Sequence, residues 1–170
     1  NPRRTMKIAG ELYNAGHITY IRTDSTRTNP SARDEVKEHI RETWGEDHIG
    51  KGVVRSNAKG KSSVQDAHEA IRPTRPKINS PEGLKGEQAR LYRLVWARFA
   101  GSQMNASRFE RFSMTADADG FTRPFSATAS WRVHRGWEAA FEGIRKEPAL
   151  TPPSFDAQSG TALTLDSVDE

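Results

Sequence analysis

The feature that most constrains this chain is a change in the period of its apolar residues near Ser107. Before that point they recur at helical spacing. Met6, Ile8, Ala9, Leu12 and Tyr13 form one stripe. Ala32, Val36 and Ile40, with Thr43 or Trp44, form a second, and Leu91, Leu94, Val95 and Phe99 a third. After Ser107 the pattern loosens into the alternation of strands: Phe109, Phe112 and Met114, then Phe121, Phe125, Ala127, Ala129 and Trp131. Asp119-Gly120 between the two runs reads as a hairpin turn. Helices first and strands second predict an α+β chain, divided near residue 105 into segments 1–105 and 106–170. The core is thin. Leu, Ile, Val and Phe make up 29 of 170 residues, below the roughly 20% at which disorder is suspected. A net charge of only +4 and four Trp argue for folding all the same.

Punctuation sharpens the helices. One is expected over Arg4–Ala15 with Gly16 just past its end. A second starts at Pro30, capped by Thr28 or Asn29, and stops at Gly45. Val64–Arg72 reads as a short helix stopped by Pro73, and Glu87–Met104 as the longest one. His17–Arg22 is rich in β-branched and aromatic residues and reads as a strand leading into a polar loop, Thr23–Asn29. Lys51, Arg55, Lys59 and Lys61 mark a basic loop. Thr161–Val168 alternates like a further strand.

Composition removes several function classes. With no Cys there is no disulfide scaffold, no Cys-ligated zinc and no thiol nucleophile. None of the five His forms an i, i+4 pair, and Asp117-Ala118-Asp119-Gly120 lacks the later Glu of a calcium loop. No metal site is therefore expected. No glycine-rich nucleotide motif occurs. No apolar run is long enough to span a bilayer, and nothing reads as a signal peptide, so the expectation is a cytoplasmic protein with no membrane partner. Charge is uneven: residues 1–112 carry 21 basic and 13 acidic side chains, residues 113–170 carry 5 and 9. A basic front half suits a polyanion.

Two stretches carry chemistry. In Tyr20-Ile21-Arg22-Thr23-Asp24-Ser25, an extended backbone would place Tyr20 and Arg22 on one face. A guanidinium favours a nearby phenolate and can bind two oxygens of a phosphate. These are the parts needed to attack a phosphodiester. In Asp66-Ala67-His68-Glu69-Ala70-Ile71-Arg72-Pro73, a helix would bring His68 and Arg72 together at i, i+4 as two donors for one anion. Taken singly, each stretch also fits ordinary packing and surface ion pairs.

Together they resemble the bacterial type IA DNA topoisomerases. The resemblance runs through Leu12-Tyr13-Asn14-Ala15-Gly16-His17-Ile18-Thr19-Tyr20-Ile21-Arg22-Thr23-Asp24-Ser25 and Asp66 to Thr74. It continues through Leu91-Tyr92-Arg93-Leu94-Val95-Trp96, and more weakly to about Phe141. It implies an enzyme that cuts one DNA strand, holds the 5′ phosphate on a tyrosine, passes a strand and reseals without a nucleotide. Tyr20 is then the nucleophile, with Arg22 and His68 beside the phosphate. Asp24, Ser25, Arg72, Lys59 and Lys61 are the DNA-binding candidates. The implied fold is a winged-helix-like tyrosine domain followed by part of a β-rich arch. The implied partners are single-stranded or negatively supercoiled DNA and the remaining domains of a longer enzyme. That enzyme would use Mg2+ held outside this chain, and the chain alone would be inactive. A binding module that keeps the fold without cutting is the alternative.

Overall fold

The computed structural model describes residues 1–52, 68–146 and 160–162. It contains three α-helices, α1 (Pro2–Asn14), α2 (Pro30–Trp44) and α3 (Gly86–Gly101), and two strands, β1 (Arg108–Ala116) and β2 (Phe125–His134). Short 3-10 segments cover Glu46–His48 and Gly136–Phe141. Mixed helix and a small two-stranded sheet agree with the α+β expectation.

The helix ends follow from their caps. The Asn1 side chain accepts the Arg3 amide, and Asn29 accepts the Ser31 amide at 2.8 Å, each just ahead of a proline that fits the first turn. α1 ends in a Schellman motif: the Gly16 amide donates to Tyr13 O at 2.8 Å and the His17 amide to Leu12 O at 2.9 Å. Gly16 supplies the required positive φ of 74°. This turn aims the chain out of α1 into the segment carrying Tyr20.

The chain packs as two units. The first comprises Asn1–Ser107 and Arg135–Lys146. The break thus falls at 107/108 rather than 105/106, and residues 135–146 belong with the helices rather than with the strands. Gly136 explains their return: its φ is +50°, and a Cβ there would sit 2.5 Å from the Ala106 carbonyl carbon. Only glycine permits that approach. The core of this unit is Leu12, Ile18, Ala32, Val36, Ile40, Tyr92, Trp96, Phe99 and Phe141 with small alanines between them. Trp96 is fully buried and its indole N–H donates to Pro76 O at 2.7 Å. α1 and α3 are further joined by Gln88 donating to Glu11 at 2.8 Å and by the exposed Arg4–Glu87 pair.

The second unit contains the antiparallel β1–β2 hairpin, with Phe112 opposite Ala129 and Met114 opposite Ala127. Asp119-Gly120 does turn the chain: the Phe121 amide donates to Ala118 O at 3.2 Å, and Gly120 has φ +86°. The loop is longer than a two-residue hairpin, since the last pair is Ala116↔Phe125, and Phe121 lies in the loop rather than a strand.

Two expected elements differ. His17–Arg22 forms only the isolated bridge Ile18↔Pro73 and then bends. The helix expected over Val64–Arg72 is absent from its described part, 68–72; the remainder lies outside the described residues, as does most of the strand expected at Thr161–Val168. The cause is Pro73. A residue before proline is pushed toward extended backbone, and Arg72 obeys: its carbonyl accepts the Thr19 amide at 2.9 Å, while the Thr74 amide donates to His17 O at 3.0 Å.

Candidate functional site

The bridge between 17–19 and 72–74 makes the site. It lays the segment ending in Tyr20 alongside the segment beginning at His68. Thr19 locks the pair: its hydroxyl donates to Ala70 O at 2.8 Å and accepts the Arg72 amide at 2.9 Å. The result is a tilted ring contact between Tyr20 and His68, centroids 5.0 Å apart. Tyr13, on the last turn of α1, meets Tyr20 edge-on at 5.3 Å. Tyr20 is half-buried by these two rings, and its hydroxyl forms no hydrogen bond with a described residue.

Arg22 lies past the bend, exposed, and pairs with no carboxylate among the described residues. A free guanidinium two residues from a phenol is available for an anion. Asp24 is exposed as well. Ser25 is spent in part on local structure: its hydroxyl accepts the Arg27 amide at 3.3 Å, and its own amide donates to the Thr23 hydroxyl at 3.0 Å. Such side-chain turns hold the loop in shape. Lys59 and Lys61 lie outside the described residues.

Arg72 is not presented to a ligand beside His68. The helix that would have paired them is absent, and the residue is buried. It grips both oxygens of Glu69, Nε to Oε2 at 2.9 Å and Nη2 to Oε1 at 2.7 Å, and its Nη1 donates to Pro73 O at 2.8 Å. The residues that sequence reasoning passed over are therefore Thr19 and Glu69. The proline after Arg72 was the signal: it argues against a helix there and for cross-chain partners.

Tyr92, the third tyrosine, is excluded as a nucleophile. It is 1% exposed, its hydroxyl donates to Ile78 O at 2.7 Å, and burial pushes its pKa up to about 12. A phenol whose pKa is raised on folding favours the fold while it stays neutral. Stability from this group is full below about pH 10, the unfolded value, and is lost as pH rises toward 12. We expect alkaline unfolding of the wild-type chain to steepen over that window and Tyr92→Phe to flatten it, as read by circular dichroism against pH.

Tyr20 thus lies against His68, with the exposed Arg22 two residues further along the chain. The model of the DNA topoisomerase family matches residues 1–169, and the chain belongs to that family. It is 39% identical over 155 residues to DNA topoisomerase 1 of Thermotoga maritima, covering 84% of this chain and 24% of the relative. It is 34% identical over 160 residues to DNA topoisomerase 1 of Fervidobacterium islandicum, covering 86% of this chain and 22% of the relative. A solved structure of full-length topoisomerase I from Thermotoga maritima superposes with a TM-score of 0.66 at 31% identity, over 89% of this chain and 25% of that one. The chain spans about a quarter of the length of these relatives. No helix among the described residues is long and apolar enough to cross a membrane.

Proposed function

We propose that this chain is the nucleophile-bearing part of a type IA DNA topoisomerase. Tyr20 attacks a phosphodiester of one DNA strand, the bond from phosphorus to the 3′ oxygen breaks, and the 3′ hydroxyl leaves with a proton. The 5′ phosphate stays on the tyrosine. Resealing is the reverse attack by that hydroxyl, so no nucleotide is consumed. Arg22 offsets charge on the phosphoryl oxygens, and His68 donates toward the phosphate or the leaving oxygen. The single observation that carries this reading is the contact of the Tyr20 and His68 rings, with the tyrosine hydroxyl bonded to no described residue and the exposed Arg22 two residues along the chain.

The finer roles follow the same reading. The helical unit is the winged-helix-like tyrosine domain, and β1–β2 belongs to a β-rich arch that hinges the gate. Asp24, Ser25, Lys59 and Lys61 contact DNA; Arg72 leaves that set because it is engaged internally. The partners are single-stranded or negatively supercoiled DNA and the other domains of the enzyme, working in the cytoplasm. Mg2+ is expected to act in the whole enzyme. The described residues offer it no fit, since no three His, Asp or Glu gather among them, and no step here depends on it.

Two expectations test this. In a full-length topoisomerase carrying this chain, Arg22→Ala lowers the single-turnover cleavage rate by about 10²–10³-fold, the scale for losing one charge-stabilising donor, and Arg22→Lys recovers only part of it. Trapping covalent complexes on a 3′-end-labelled oligonucleotide measures both; label retained on the protein identifies a 5′ linkage. The isolated chain, by contrast, leaves supercoiled plasmid unrelaxed at catalytic concentration. Relaxation by the purified chain on a gel contradicts that expectation.

A further inference from the structure

Glu69 and Arg72 take no direct part in the proposed chemistry, yet they are the most heavily bonded charged pair described. Besides its two-pronged grip on Arg72, Glu69 accepts the Asn29 amide at 3.0 Å through Oε2. Asn29 is the cap of α2 and the end of the loop that carries Arg22 and Asp24. One residue on, the Ala70 amide donates to Arg27 O at 2.7 Å. On the other side of the same strip, Arg72 O and its amide are held by Thr19. The strip that carries this ion pair is thus held on two sides: the Tyr20 segment bonds the Arg72 backbone, and the end of the Arg22 loop bonds the Glu69 carboxylate.

We infer that Glu69–Arg72 is a latch that positions His68 and the Arg22 loop against Tyr20. This deepens, and rests on, the reading of Tyr20 as nucleophile. Both residues are positioning residues: neither faces the reacting atoms. Glu69 adjoins His68 in sequence, so a shift of its carboxylate displaces the imidazole from the Tyr20 ring. The pair is mostly shielded from water, with side-chain exposures of 10% for Arg72 and 30% for Glu69. Removal of one member therefore strands a charge rather than deleting a surface contact. Misplacement of reacting groups by about 1 Å costs on the order of 10²-fold in rate, while the exposed binding surface is left as it was.

The test uses a full-length topoisomerase carrying this chain, with a 3′-labelled single-stranded oligonucleotide. Binding is measured in a Tyr20→Phe background over a range of KCl, and single-turnover adduct formation in the Tyr20 background. Glu69→Gln keeps the shape and an acceptor for Asn29, so it retains the fold; Glu69→Ala and Arg72→Lys remove more. The latch predicts oligonucleotide Kd within about twofold of wild type and an unchanged salt slope. It predicts adduct formation about tenfold slower for Glu69→Gln and about 10²-fold slower for Glu69→Ala and Arg72→Lys. An unchanged rate in Glu69→Gln and Arg72→Lys overturns it. So does a tenfold weaker Kd in Arg72→Lys with a salt slope smaller by about 1, which would put Arg72 on a phosphate. A wild-type enzyme that forms no adduct at all overturns the nucleophile assignment, and the latch with it.

Discussion

Tyr20→Phe is expected to abolish covalent capture of DNA while leaving the fold and DNA binding intact. The hydroxyl it removes forms no hydrogen bond with a described residue, whereas the ring contacts with Tyr13 at 5.3 Å and His68 at 5.0 Å survive in phenylalanine. Stability should move by no more than about 0.5 kcal/mol, the usual range for a change that breaks no packing. Loss of the nucleophile should cut adduct formation by roughly 10⁴-fold or more. Tyr92 cannot take over, since it is buried with its hydroxyl bonded to Ile78 O. Tyr13 is 40% exposed and meets Tyr20 edge-on, but among the described residues it is Tyr20 whose ring contacts His68. Thermal melts and oligonucleotide binding, run beside denaturant-trapped adduct yields, separate the two effects. An equal loss of folding would mean that the phenol is structural.

The largest expected loss of stability is at Trp96. Its side chain is fully buried against His39 at 5.3 Å and Trp44 at 6.3 Å, with the Arg93 guanidinium 5.0 Å from the ring. Trp96→Ala should cost about 3–5 kcal/mol from transfer and cavity terms. The Pro76 carbonyl, which accepts the indole N–H, is then left in a buried place without that donor. For domains stable by about 5–15 kcal/mol that is a large share. The consequence reaches the site, because Pro76 lies three residues past Pro73, whose bridge to Ile18 aligns Tyr20 with His68. Trp96→Phe, which keeps most of the volume, should lose less. Urea unfolding of the three chains measures this; a loss under about 1 kcal/mol for Trp96→Ala would mean that the core collapses around the gap.

Much of this was legible in the sequence. Caps and stripes placed α1, α2 and α3 within a few residues, because Asn29-Pro30, Gly16 and Gly45 act locally. At the candidate site the backbone was misjudged. Tyr20 and His68 do meet, though not through a strand face and a helix. They meet through an isolated bridge that Pro73 imposes and Thr19 fastens. Arg72 was misplaced for the same reason: i, i+4 spacing has meaning only on a helix, and in extended chain its nearest acid is Glu69. Long-range partners such as Asn29 N to Glu69, forty residues apart, leave no trace in local spacing. The return of 135–146 to the helical unit was hidden likewise, since its cause is the close approach of Gly136 to Ala106.

The proposed function turns on which atom carries the DNA. The most direct measurement is to trap the covalent complex of a full-length topoisomerase carrying this chain on a single-stranded oligonucleotide. The complex is then digested and the peptide that retains the nucleotide is sequenced by mass spectrometry. The expected product is a 5′-phosphate ester on Tyr20. A nucleotide on Tyr13, a linkage through the 3′ phosphate, or no adduct at all contradicts it.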